Sequence, residues 1–291
     1  MAEPDISDLA QGPSFSGANN MKANRFEVTF PLILTQDDSF SITFTLESAD
    51  TLEFKQGAYY LYGDNGSGKT TLLNMLALTI GSIGGASGPD KGTIKFNDET
   101  YNAKSFNYIR AAEIREKSFC IFPQKAFFLP VSTRDNYMVL NGSDRQKAAA
   151  FSAHEYPDLL SGGQQQKVLM DIVLDAKKPV WFLDEPLSNL DAERRHYFWM
   201  TLQRAYRKDL ATIFFIDHWM GKKIKDDKNF KHLNTLLVVT ENRQKNSPPN
   251  INARHIEIFE NNDPQDFVGR QIQQVQKEMS ATSFLNKEPG V

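Results

Sequence analysis

The sequence predicts an α/β protein in which helices cover both faces of a largely parallel sheet. Short apolar runs (Ala58 to Tyr62, Phe119 to Phe122, Val180 to Leu183, Ile213 to Ile216 and Leu236 to Val239) alternate with helical patterns such as Gln164 to Ala176 and Ala192 to Tyr206. Strands that are apolar throughout are the kind a sheet buries on both faces, and strand–helix alternation produces parallel order. A glycine-rich loop at 63–71 joins the first of these runs to a Leu-rich helical pattern. The run at Val180 ends in two adjacent carboxylates, Asp184 and Glu185.

Along the chain, residues 1–22 are rich in Ala, Gly, Ser, Asp and Pro without periodicity and read as a disordered tail. β-type runs follow at Phe26 to Leu34 and Phe40 to Leu46. After the Leu72, Leu73, Met75, Leu76 helix comes a glycine-rich loop from Gly81 to Gly92, then a strand at Thr93 to Phe96. The tail at 263–291 holds one interpretable element. Asp263-Pro264 suits a cap and first helical position, and Val268, Ile272, Val275 and Met279 form one helical stripe. A helix packed on its own domain and a partner-binding helix both fit that stripe.

Gly63-Asp64-Asn65-Gly66-Ser67-Gly68-Lys69-Thr70-Thr71 follows the pattern G-x-x-x-x-G-K-[ST] in the strand–loop–helix setting the pattern requires. Glycines here let backbone N–H groups converge on phosphate oxygens, and the following helix adds its positive end. Lys69 is expected to reach β/γ-phosphates, and Thr70 to ligate Mg²⁺. Ser161 is placed to cap a helix opened by Gly162, Gly163 and Gln164, where the glycines leave N–H groups bare for an anion. Asp184, at a strand end, is positioned to hold Mg²⁺ through its water shell. Glu185 is positioned to orient or deprotonate an attacking water.

Composition narrows the classes. With 33 basic and 36 acidic side chains, net −3, sequence-independent nucleic-acid binding is not expected. The one cysteine, Cys120, lies in an apolar run and reads as a small buried hydrophobe; no internal disulfide framework is possible. No apolar stretch is long enough to span a bilayer and no leader pattern opens the chain, so a soluble or peripheral cytoplasmic protein is expected.

Taken together, these segments resemble the nucleotide-binding subunit of an ATP-binding cassette (ABC) transporter over about residues 24 to 262. Gly63 to Thr70 is similar to the Walker A motif, Leu160 to Gln164 to the family signature, and Val180 to Glu185 to Walker B. Ser188-Asn189-Leu190-Asp191 is similar to the D-loop, and Phe214 to His218 to the strand ending in the switch histidine. Phe122-Pro123-Gln124, with Phe128-Leu129-Pro130 and Arg134-Asp135-Asn136, resembles the Q-loop region.

The resemblance implies a P-loop NTPase cassette spanning 23–262. It would have a largely parallel core sheet, an antiparallel β subdomain and a short helical subdomain at about 125–162. It implies ATP and Mg²⁺ as cofactors and a head-to-tail homodimer, with ATP between one copy's Walker A and the other's signature. Ser161 and Gly163 would then contact the γ-phosphate in trans. Gln124 would sense Mg²⁺ and the attacking water, His218 would contact the γ-phosphate and support Glu185, and Asp191 would cross the dimer interface. An upstream aromatic, Phe30 or Phe40, would stack on adenine. Integral membrane permease subunits would be the partners, contacted through 125–160 with Phe127 and Phe128 exposed. The protein would sit peripherally on the inner face of the cell membrane.

The chain departs from the family pattern in three places. The Gln124–Ser161 interval is short, the switch reads Asp217-His218-Trp219, and the signature helix carries Asp171 where an Arg-Ala-Leu run is usual. Glu185 to Asp191 resembles sugar-type importers, whereas Ser161 to Gln166 resembles the lipoprotein-release and macrolide-export group. The short stretch after the cassette favours the latter. A soluble ABC ATPase acting on DNA or ribosomes is the alternative, disfavoured by one cassette without a long coiled coil.

Overall fold

A computed structural model of the chain describes residues 25–37, 40–46, 51–80, 92–101, 107–141, 145–188, 190–208, 211–217, 234–240, 251–259 and 276. The tail at 1–22, the loop at 81–91, His218 and the stripe at 268–279, Gln276 apart, lie outside the described residues.

Two sheets organise the described residues. The larger has eight strands in the order β2(Leu32–Asp37), β3(Phe40–Leu46), β12(Ile251–Phe259), β11(Asn234–Thr240), β5(Gly57–Tyr62), β10(Thr212–Ile216), β9(Val180–Asp184), β8(Phe119–Phe122). From β11 through β8 the pairings are all parallel. Among the described residues of this sheet, the antiparallel pairs are β2 with β3 and β11 with β12. The smaller sheet is antiparallel, in the order β4(Thr51–Phe54), β1(Phe26–Thr29), β6(Thr93–Phe96), β7(Glu99–Tyr101).

The run read from Phe26 to Leu34 is divided. Phe30-Pro31 separates β1, in the small sheet, from β2, in the large one. Proline brings no N–H to a ladder, so the chain changes sheets there.

Alternation along the central strands assigns the two faces. Tyr59, Leu61, Val180, Phe182, Phe214 and Ile216 join a core with Phe26 and Val28 of β1 and with Leu72, Leu73, Met75 and Leu76 of α1(Lys69–Leu76). Phe182 and Phe214 stack with their centroids 5.3 Å apart, and Phe26 meets both at a tilt. The opposite face gives Ala58, Tyr60, Trp181, Leu183, Ile213 and Phe215 to a second core. That core is closed by Leu169, Met170 and Val173 of α5(Gly162–Asp175) and by Phe198, Trp199 and Leu202 of α6(Ala192–Lys208). Each fully buried large apolar side chain contributes about 1.5–3 kcal/mol relative to exposure, so the central strands are pinned from both sides.

Outside the sheets lie α2(Tyr108–Ser118), capped by Asn107 accepting from the Arg110 N–H at 3.0 Å, then α3(Thr133–Asn141) and the short α4(Arg145–Ala148). Tyr137, Ala148 and Ile172 form a third, small core. Among the described residues no helix is long and apolar enough to cross a membrane.

Candidate functional site

β5 runs buried to Leu61 and releases the chain into the 63–71 loop, which closes onto α1. Gly66 and Gly68 have φ of 78° and 96°, the left-handed region that favours glycine, and Gly68 occupies the helix N-cap. The Ser67 N–H donates to the Asp64 carbonyl at 3.1 Å, closing the turn. The Lys69 Nζ lies over this turn, donating to the Gly63 and Asp64 carbonyls at 2.8 and 2.9 Å. Burial lowers the Lys69 ammonium from its usual range, while Asp64, Asp184 and Glu185 oppose that shift. Ser67 is buried, and its Oγ has no hydrogen-bond partner.

The parallel strands next to β5 deliver the second set of groups to the same edge of the sheet. Asp184 is the last residue of β9 and is buried. Glu185 follows at φ 53°, a conformation costing a non-glycine residue about 1–3 kcal/mol, which the surroundings must hold in place. Its N–H donates to the Ile216 carbonyl of β10 at 2.8 Å. Its carbonyl accepts from the Ser188 N–H at 3.2 Å and from the Ser188 Oγ at 2.7 Å. From beyond β8, the Gln124 Nε2 donates to the Glu185 Oε1 at 2.8 Å. A cavity of about 220 Å³ lies between α1 and this loop, with Thr70, Gln124 and Asp184 on its wall. Asp217 is buried; its Oδ2 accepts from the Leu187 N–H at 3.0 Å, and its carbonyl accepts from the Tyr60 hydroxyl at 2.8 Å.

The signature turn stands apart from that cavity. Ser161 and Gln164 form a capping box: the Gln164 N–H donates to the Ser161 Oγ at 3.4 Å and the Ser161 N–H to the Gln164 Oε1 at 2.9 Å. The helix thus begins at Gly162 with Ser161 as its cap, as the sequence placed them, while the apolar pattern becomes regular only from Gln164. A Cβ on Gly162 or Gly163 would meet no atom within 4 Å, so internal packing does not require glycine at either position. Open space of this kind suits a group approaching from outside.

Asp191 caps α6, accepting from the Arg194 N–H at 2.9 Å, and pairs with Lys167 at 3.0 Å. The Arg194 N–H, with Lys167 beside it, holds Asp191 below the usual carboxylate range. Asp171, one of the departures from the family pattern, accepts from the Arg194 Nη1 at both carboxylate oxygens, at 3.0 and 2.9 Å.

Of the two adenine candidates, Phe30 is buried in the core between the sheets and is taken up by packing. The side chain of Phe40 lies outside the described residues. Phe127 is 75% exposed, whereas Phe128 is half-buried against two of the cores. The matched expectation for this aromatic pair therefore splits: packing claims the second ring. Cys120 is buried, donates from Sγ to the Val173 carbonyl at 2.9 Å, and has its thiol pushed up by burial.

The family model described as "ABC transporter" matches residues 49–188, the span from β4 to Ser188. Over that span the chain is homologous to the ATP-binding cassettes of ABC transporters. The cassette is 30% identical over 188 residues to the sulfate/thiosulfate import ATP-binding protein of Mesorhizobium japonicum, covering 58% of this chain and 50% of that protein. It is 31% identical over 176 residues to the spermidine/putrescine import ATP-binding protein of Fusobacterium nucleatum, covering 57% and 45%. The chain thus spans about half the length of these curated relatives. A dimeric ATP-binding cassette solved in a post-hydrolysis state with ADP and Pi superposes with a TM-score of 0.55 at 18% identity, over 74% of this chain and 93% of that one. This likeness establishes the cassette fold.

Proposed function

We propose that the cassette binds ATP with Mg²⁺ and hydrolyses it as one of two copies that drive separate membrane permease subunits from the cytoplasmic face. The observation that carries this reading is the Gln124–Glu185 hydrogen bond of 2.8 Å beside a cavity walled by Thr70 and Asp184. A hydroxyl, a buried carboxylate and an amide converge where the P-loop ends, a donor set suited to Mg²⁺, which takes few protein ligands beside phosphate and water. The buried Ser67 Oγ and the left-handed turns at Gly66 and Gly68 fit a loop shaped around phosphate oxygens.

Within that reading, residues 64–71 hold the phosphates, Lys69 turning from its own loop carbonyls to them. Mg²⁺, when bound at Thr70 and Asp184, neutralises phosphate charge. Glu185 orients the attacking water and takes its proton, with Gln124 holding the carboxylate and His218 supporting it. Ser161, Gly162, Gly163 and Gln164 meet the γ-phosphate of the second copy, and Asp191 faces that copy. An apolar groove of about 290 Å³, walled by Phe127, Val139, Leu140, Ile121 and Leu169, receives the permease. Residues 23–262 act as the cassette, with 125–162 as the portion that moves on the permease. The names of the two relatives, both import ATP-binding proteins, support a transport role over one on DNA or ribosomes.

Glu185→Gln tests the assignment, because it keeps the phosphate contacts and removes the base. ATP binding by titration calorimetry is expected to persist while turnover falls by roughly 10²–10⁴-fold. Wild-type turnover in this variant would contradict the role given to Glu185.

A further inference from the structure

We propose that Gln166 is a positioning residue for Glu185, acting through the hydroxyl of Ser188. The inference rests on the hydrolytic reading of Glu185 and adds a group that the cassette motifs do not assign. Gln166 lies on α5, about one and a half turns beyond Ser161, and its side chain is buried although it is a polar amide. Its Nε2 donates to the Ser188 Oγ at 2.8 Å. The Ser188 Oγ donates in turn to the Glu185 carbonyl at 2.7 Å.

The direction of this relay is fixed by chemistry. An amide N–H₂ can only donate, so the Ser188 oxygen accepts from Gln166 and its single proton is committed to Glu185. That proton reinforces the turn in which Glu185 sits at φ 53°, the conformation that projects its carboxylate toward Gln124. A buried amide donating to a hydroxyl is a high-stakes contact, because at low local dielectric such a bond is strong and its loss is not made good by water.

The geometry has a functional consequence. The capping box that shapes Ser161–Gly163 and the amide that sets the Ser188 proton ride on one helix. A shift of α5 that re-aims the glycine turn toward a second copy therefore also changes the hold on Glu185 in the same chain. The two ends are linked by a contiguous hydrogen-bonded path through a single rigid element.

The test uses the full chain with Gln166→Met, which keeps length and removes the donor, and Ser188→Ala, which removes the hydroxyl from a half-buried site. Thermal melting, ATP affinity, kcat and KM are measured for each and for the double variant, with hydrogen exchange across 183–188. Each single variant is expected to lose roughly ten- to a hundredfold in kcat, with KM changed by less than about twofold and faster exchange at 183–188. The double variant should be no worse than the worse single one, as expected for groups acting in one chain. Ser188→Thr, which retains a hydroxyl, should recover turnover relative to Ser188→Ala. Unchanged kcat and exchange in Gln166→Met, or losses that multiply in the double variant, would overturn the proposal. If Gln166→Met does not fold, Ser188→Ala against Ser188→Thr decides it by the same readouts. Absence of ATP turnover in the wild-type chain would instead count against the hydrolytic reading, and the exchange measurement would still decide whether Gln166 holds the Glu185 turn.

Discussion

The P-loop and Walker B half of the site and the signature half are held by different physics. Asp184 and Glu185 issue from β9, every residue of which is buried, and Glu185 is gripped at its N–H, carbonyl and carboxylate. Ser161 to Gln164 end a loop, and what shapes them is a capping box on the surface of α5. Beside the apolar core they share, α5 and the start of α6 are joined by ion pairs whose side chains are a third to a half exposed, Lys167–Asp191 and Arg194–Asp171. One half is built to stay fixed while charge changes next to it. The other is shaped by its own helix cap, and its two glycines face open space. On the reading proposed above, such a site would be completed by a second copy, so that closure is coupled to ligand.

The contrast is sharpest at Phe127 and Phe128. Phe128→Asp places a charge against two cores and is expected to lower folding stability by about 2–4 kcal/mol, read by denaturant unfolding. Phe127→Asp should stay within about 0.5 kcal/mol of wild type yet reduce co-sedimentation with permease-bearing membranes. Equal destabilisation by the two would place Phe127 in the core as well.

A smaller effect comes from the surface ties. Arg194→Ala should cost about 0.5–1 kcal/mol, since the pair with Asp171 is well aligned but partly solvated. The smallest is a pH effect at Asp191. Its folded pKa lies below the ordinary value of 3.8, so its contribution is fully present above that value and is lost as the pH falls through the depressed folded one. Asp191→Asn should flatten the acid limb of a stability–pH curve, and an unchanged limb would remove Asp191 from that account.

Much of the fixed half was legible in the sequence because its signals are contiguous: an apolar strand running into carboxylates, and a glycine loop entering a helix. The described strands β5, β8, β9 and β10 fall where the apolar runs put them. Other parts carry no such local mark. β4 buries only Phe54, β7 has three residues, and β12 mixes Asn, Arg and His with its isoleucines while pairing with two neighbours. α2 exposes Tyr108 and Ile109, so its apolar pattern points away from its packed face at Ala111 and Ile114. Gln166 reads as an ordinary helix glutamine, and only the approach of the Ser188 turn to α5 reveals why it is buried.

The most direct test of a site split between two copies is complementation. Lys69→Ala removes the cation of the fixed half, and Ser161→Arg blocks the signature half; neither chain alone can assemble a complete site with itself. Mixed, they are expected to form heterodimers in which one fixed half and one signature half are intact and face each other. ATP turnover in the mixture is predicted to rise well above that of either chain alone. Turnover that stays at the single-variant level, with heterodimers shown to form, would contradict the account.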